Sequence, residues 1–94
     1  NTKSSNAEAL AVLERARGRD PLDGRMMRDL ALAYARAGNN AMASLTTAER
    51  YTLSGNLGDA RVHAQRAAGQ LPRGSAAWNR AQDVLRGTEA ARRR

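Results

Sequence analysis

The chain contains no cysteine and no phenylalanine, and it has one tryptophan and two tyrosines among 94 residues. Without cysteine it can form no disulfide bond, no thiolate nucleophile and no cysteine-ligated metal site. Strands favour β-branched and aromatic side chains, and both are scarce here. The apolar residues are mostly alanine and leucine, and alanine has the highest helix propensity and lets helices approach closely. The composition therefore predicts an all-α fold.

Long apolar runs and targeting patterns are also missing. No stretch approaches the ~20 consecutive apolar residues that span a membrane, and the N-terminus has no signal-peptide pattern. We therefore expect no transmembrane segment. The length fits a single domain over residues 1–94. Because the chain begins at Asn1 rather than methionine, we expect it to be processed or to be a piece of a longer protein.

Acidic residues are few relative to basic ones: 9 Asp and Glu stand against 16 Lys and Arg, for a net charge of +7. Such a charge is typical of proteins that bind nucleic acid, acidic lipid or acidic peptides. The alternative is a solvated arginine surface. The basic residues are scattered among acids, and the only run is residues 92–94 at the C-terminus. This pattern favours the solvated surface and predicts no specific binding of nucleic acid.

Apolar residues at helical spacing, separated by Gly, Asn and Pro, predict five helices. They cover about residues 6–17, 23–37, 41–54, 57–70 and 75–86, and residues 87–94 are predicted to be a frayed tail. The candidate N-caps are Ser5, Asn40, Asn56 and Ser75, and the helix-ending glycines are Gly18, Gly38 and Gly55. The connections are short, so consecutive helices must be antiparallel neighbours. The sequence predicts an α-solenoid, a stack of antiparallel helical hairpins.

A further pattern repeats at a spacing of 17 residues. The residues that recur form three pairs: Ala31 and Ala48, Tyr34 and Tyr51, and Gly38 and Gly55. Seventeen is half the length of the tetratricopeptide repeat, which has about 34 residues and the pattern W-x2-L-G-x2-Y, then A-x3-F, then P. Small alanines at helix crossings permit close packing, and we expect the two tyrosines to fill the space between helix layers.

Single positions agree with both halves of the tetratricopeptide pattern. The second predicted helix resembles the first half, with Met27 in the Trp position followed by Leu30, Ala31 and Tyr34. The first and fourth helices resemble the second half: Ala9 with Leu13, and Ala60 with Ala64, occupy the Ala and Phe positions, and Pro21 and Pro72 follow twelve residues after Ala9 and Ala60. The third helix matches the first half better than the second, so its phase stays open.

Three segments between Arg28 and Leu85 are similar to a known family: RDLALAYARAGN, AERYTLSGNLGDARVHAQRA and LPRGSAAWNRAQDVL. They resemble the C-terminal tetratricopeptide region of bacterial periplasmic zinc metallopeptidases of the BepA type. The resemblance implies a periplasmic location and a non-catalytic arm that binds protein partners or substrates in outer-membrane protein quality control. The H-E-x-x-H motif is absent, so we expect no enzymatic activity and no cofactor in this chain, with zinc only in an upstream protease domain.

Isolated titratable residues form no catalytic or metal-binding pattern. His63 is the only histidine, and stable zinc sites need three or four ligands, so we predict an ordinary surface histidine. The acidic residues are dispersed among basic ones, which predicts no acid–base pair. Trp78 is predicted to anchor the core of the last hairpin.

The resemblance places a partner-binding groove along the first-half helices. On the second helix Arg25, Arg28, Leu32 and Arg36 would face this groove, where guanidinium groups can bind a carboxylate or an acidic peptide. A solvated arginine face explains the same residues equally well. We expect charge reversal at Arg28 and Arg36 to weaken partner capture without unfolding the domain.

Other functions are also compatible with the sequence. One is a free-standing tetratricopeptide adaptor in secretion or assembly. Another is a basic helical nucleic-acid-binding protein, which requires a concentrated basic stripe and a steep salt dependence. In isolation, the edge of the first helix with Leu10 and Leu13 is predicted to favour a homodimer.

Overall fold

The computed structural model describes residues 2–19 and 23–93, and this part of the chain is all-helical. Its elements are α1 (Thr2–Arg19), α2 (Gly24–Arg36), α3 (Asn40–Leu53), α4 (Leu57–Gln70) and α5 (Ala76–Arg92). Each helix packs against the next along the chain, and α3 also packs against α5. The predicted all-α stack of sequential helices is therefore confirmed.

The helix boundaries differ from the predicted ones mainly at the two ends of the chain. Helix α1 begins at Thr2 and ends at Arg19, so Ser5 lies inside the helix rather than at its N-cap, and Gly18 does not end it. Helix α5 continues through Gly87 to Arg92, so the prediction of a frayed tail from residue 87 was wrong. Thr88 is buried and Glu89 bonds to Arg61 of α4, and these contacts hold the last turns of α5. Pro21 of the repeat pattern lies outside the described residues.

Side-chain caps define the N-termini of three helices. Asp23 accepts hydrogen bonds from the backbone N–H groups of Arg25 and Met26, and Ser75 accepts one from the N–H of Trp78. The third helix is capped by Asn39 rather than by Asn40, because Asn39 Oδ1 lies 3.1 Å from the Met42 nitrogen. Asn56 occupies the N-cap position of α4 but makes no side-chain capping bond.

The core has two parts along the stack. One consists of α2 residues that pack against α1 and α3: Met26, Met27, Leu30 and Tyr34. The other lies where three helices meet, and consists of Leu45 of α3, Ala67 of α4 and Ala81 of α5. Further alanines of the repeat pattern are fully buried: Ala48, Ala60 and Ala64. Alanine at these crossings allows the close helix packing that the sequence pattern predicts.

The repeat residues differ in how far they are buried. Tyr34 is buried and packs between helices as expected, whereas Tyr51 is only partly buried. Trp78 is also only partly buried, so the predicted core anchor lies at the margin of the core rather than in it. Gly38 and Gly55 follow α2 and α3 with φ angles of 80° and 81°, the left-handed conformation that ends helices and that glycine adopts without steric cost.

Candidate functional site

A cleft of about 560 Å³ runs between α1 and α2, and all of its lining residues within the described ranges belong to these two helices. Its α1 wall comes from Glu8, Ala9, Val12 and Leu13, and its α2 wall from Asp29, Leu32, Ala33 and Arg36. On each helix these positions recur at three- and four-residue spacing, so they form one face per helix. The cleft is therefore a groove between two antiparallel helices, apolar along most of its length and charged at its rim.

Two aliphatic side chains in this cleft are unusually exposed. Val12 is 54% exposed and Leu32 is 49% exposed, although both lie beside residues that belong to the core packing, such as Leu13. Neither is needed to close the core. Exposed aliphatic residues that share one concave surface are typical of sites that bind another macromolecule.

The structure brings two of the four predicted groove residues into this cleft. Leu32 and Arg36 line it. Arg28 and Arg25 are exposed on the same face of α2, about one and two turns before Leu32. Within the described part of the chain, none of the three arginines forms an ion pair. The predicted arginine face is therefore exposed and adjoins the cleft.

Sequence reasoning missed the α1 half of the site. The stripe of Leu10, Leu13 and Ala16 faces α2, and Val12 falls outside it. An aliphatic residue off the buried stripe of an amphipathic helix is a signal of an exposed apolar surface. Val62 of α4, which is 51% exposed and lies outside the cleft, gives the same signal, so the sequence alone does not single out Val12 as a binding residue.

A network of polar side chains joins three helices around Glu49 of α3. Arg17 of α1 donates to Glu49 Oε1 at 2.9 Å, and Arg80 of α5 donates through both Nε and Nη2 to the same carboxylate. The Glu49 side chain is only 17% exposed. Two guanidinium groups from different helices share this one carboxylate, so the network is a structural clamp between α1, α3 and α5.

Tyr34 lies beside Arg17 and Arg80 of this clamp and joins α1 to α2. Its hydroxyl donates a 2.6 Å hydrogen bond to Glu14 Oε2. Burial, the bond to the Glu14 carboxylate and the negative charge of Glu14 raise the pKa of Tyr34 to about 12. The phenol therefore stays protonated at neutral pH and acts as a donor that holds α1 on α2.

His63 is a packing residue of α4. Its ring stacks on Tyr51 of α3, with ring centroids 5.5 Å apart and an interplanar angle of 24°. Burial, together with the nearby positive charge of Arg66, lowers the pKa of His63 below its usual 6.5. The nearby negative charge of Asp59 opposes this shift. The imidazole of His63, predicted to be an ordinary surface histidine, is partly buried.

In the described ranges no group of three or more His, Cys, Asp or Glu side chains is arranged to hold a metal ion. Across residues 2–19 and 23–93, no helix has both the length and the apolar character to cross a membrane. Comparison of the chain with protein-family models, with curated proteins and with solved structures gives no match.

Proposed function

We propose that this chain is a non-catalytic helical-repeat module that binds protein partners through the cleft between α1 and α2. The observation that carries the proposal is the pair Val12 and Leu32, both about half exposed in one apolar groove. Burial of their exposed halves by a partner would contribute on the order of 1 kcal/mol per side chain. The three exposed arginines of α2 would add charge-assisted contacts at the edge of the groove.

The finer proposal follows from the resemblance stated above. The chain would be the tetratricopeptide arm of a periplasmic zinc metallopeptidase of the BepA type, and it would hold partners or substrates during outer-membrane protein quality control. Two observations support it: the three similar sequence segments cover much of α2 to α5, and these segments form consecutive packed helices. Zinc and the hydrolytic chemistry would belong to the upstream protease domain.

Determination of the coding sequence upstream of Asn1 tests this assignment. We expect a signal peptide followed by a domain that contains H-E-x-x-H. An upstream region without either feature would favour the free-standing adaptor, which would use the same cleft. A titration with duplex DNA at two salt concentrations tests the nucleic-acid alternative, and we expect only weak binding that disappears at the higher salt concentration.

Site-specific photo-crosslinking tests the cleft itself. A photoreactive amino acid is placed at position 12 or 32 in the cleft, or at position 62 as a control, because Val62 on α4 is 51% exposed and lies outside the cleft. Adducts formed in an extract of the source cells are identified by mass spectrometry. We expect positions 12 and 32 to capture the same proteins and position 62 to capture none of them. Identical adducts at all three positions, or none at positions 12 and 32, would overturn the proposal.

A further inference from the structure

The junction of α3, α4 and α5 shows how one helix of this chain packs against two others. Leu45 of α3 is completely buried together with Ala67 of α4 and Ala81 of α5. Met42, three residues before Leu45 on α3, packs against the same cluster. One helix therefore inserts aliphatic side chains at three-residue spacing against small residues of its two neighbours, which is the close packing that alanine permits.

The α1–α2 cleft has the same construction without the inserted helix. Ala9 and Ala33 are the small residues of its two walls, and Leu13 lies beside them. No residue of α3, α4 or α5 lines this cleft. A groove between antiparallel helices, with small residues on both walls and half-exposed aliphatics beside them, matches the apolar face of a further helix in shape and polarity.

The charge around the cleft is uneven. Because α1 and α2 are antiparallel, the C-terminal half of α1 and the N-terminal half of α2 lie at the same end. Arg15 follows Val12 by three residues on α1, and Arg25 and Arg28 precede Leu32 on α2 by seven and four, so all three lie on or next to the cleft-facing stripes. All three are exposed. Asp29 of α2 is the cleft-lining acid at this end, and Glu8 of α1 lines the opposite end. Two more acids of the described residues lie at this end, but Glu14 accepts the Tyr34 hydrogen bond and Asp23 accepts the bonds that cap α2. The three arginines are therefore the side chains most available to a charged partner at this end.

We propose that the occupant of the cleft is an acidic amphipathic helix of a partner protein. Its aliphatic residues, at three- and four-residue spacing, enter between Val12 and Leu32, and its carboxylates face Arg15, Arg25 and Arg28. This inference rests on the proposed function and adds the chemical class of the partner. The net charge of +7 also favours acidic partners, since complementary charge accelerates encounter and rejects basic competitors.

Three model peptides of about 18 residues, or five helical turns, test the inference. All share one leucine stripe, and their flanking positions carry Glu, Gln or Lys. Binding to the full 94-residue chain is measured by fluorescence anisotropy. We expect the Glu peptide to bind about tenfold more tightly than the Gln peptide and the Lys peptide to bind most weakly, since one or two charge-assisted contacts correspond to about a tenfold difference.

Variants of the chain test whether the peptides bind in the cleft, and they separate the apolar contribution to binding from the electrostatic one. Val12→Ala and Leu32→Ala, on two different helices, should each weaken all three peptides several-fold, whereas Val62→Ala, at a residue of similar exposure on α4, should change nothing. Arg25→Ala with Arg28→Ala should reduce the preference for the Glu peptide and leave the Gln peptide unaffected, because only Arg15 of the three facing arginines remains. Circular dichroism confirms that each variant is folded, and the exposed positions make loss of the fold unexpected.

The outcomes separate this inference from the proposed function. Equal affinity for the Glu and Gln peptides, or tightest binding of the Lys peptide, would overturn the acidic class while leaving the cleft as a helix-binding site. Peptide binding that is insensitive to Val12 and Leu32 would overturn the helical occupant. If the crosslinks at positions 12 and 32 still capture specific proteins in that case, the proposed function stands and only the inferred occupant fails.

Discussion

Tyr34 of α2 donates its hydroxyl proton to Glu14 of α1, and this 2.6 Å hydrogen bond crosses the interface on which the cleft depends. Tyr34 is one of the four core residues that α2 contributes. Its ring packs in the core, and its hydroxyl forms the hydrogen bond to Glu14. The residue that the repeat pattern predicts to fill space between helices therefore also ties α1 to α2 through a polar contact.

Replacement of Tyr34 by Phe should cost about 1 kcal/mol of unfolding free energy near neutral pH, since one hydrogen bond is lost and the ring packing is kept. The difference in unfolding free energy between the original chain and this variant should depend on pH. Its pKa is raised from 10.0 to about 12 in the folded chain, so its contribution is fully present below about pH 10 and is lost as pH rises towards 12, because the unfolded state releases the phenol proton first. Urea unfolding of both proteins across this range measures the effect. A pH-independent difference would contradict it.

Glu49→Ala should destabilise the chain by about 1–3 kcal/mol, because it leaves the partly buried guanidinium groups of Arg17 and Arg80 without their shared carboxylate. The matched control is Glu89→Ala. Glu89 pairs with Arg61 but is 42% exposed, so its removal should cost less than about 1 kcal/mol. Urea unfolding at a single salt concentration compares the two variants. Equal losses of unfolding free energy would show that the ion pairs of Glu49 contribute no more than a surface ion pair does.

Gly87→Ala should raise the unfolding free energy by about 0.5–1 kcal/mol. Gly87 lies inside α5, where glycine is conformationally costly, and a Cβ at this position would meet no atom within 4 Å. Gly38→Ala provides the opposite control, because its φ of 80° strains any L side chain and should lower stability by about 1 kcal/mol. The two melting temperatures should therefore move in opposite directions. A frayed α5 would instead leave the Gly87 variant unchanged.

Simultaneous Arg28→Glu and Arg36→Glu should weaken binding of the proteins crosslinked at the cleft by about tenfold, since two attractive guanidinium groups become repulsive. Both side chains are exposed, so the helical circular dichroism signal should be unchanged. Arg66→Glu with Arg73→Glu makes the same charge change at exposed positions away from the cleft and should have a much smaller effect. An equal loss of binding affinity in the two double variants would show that Arg28 and Arg36 act only through the net charge of the chain.

The sequence predicts the helix boundaries well where local signals are strong, and less well where tertiary contacts determine how far a helix extends. The helix α4 agrees with the prediction at both ends, because Asn56 precedes it and Pro72 follows soon after it. The last turns of α5 were misjudged, because Gly87 and the arginines locally indicate an end. The buried Thr88 and the Glu89–Arg61 pair hold those turns, and neither contact can be seen in a local pattern.

The candidate site was only half predictable for the same reason. The family resemblance places the α2 residues Leu32 and Arg36 on a groove, and they do line the cleft. Their neighbours Val12 and Ala9 come from another helix, and nothing in the spacing of one helix states which face of its neighbour lies opposite. Which residues share a groove depends on the rotation of each helix about its own axis, and packing decides that rotation.

The sequence alone determined an all-helical stack, because alanine-rich periodic segments with capping residues and short connections leave antiparallel helices as the way to bury their apolar stripes. Only the tertiary structure decided that Glu49 binds two arginines from α1 and α5, that Tyr34 bonds to Glu14, and that Val12 and Leu32 share an open groove. Each of these relationships joins residues from separate helices, and its geometry exists only after the helices have packed.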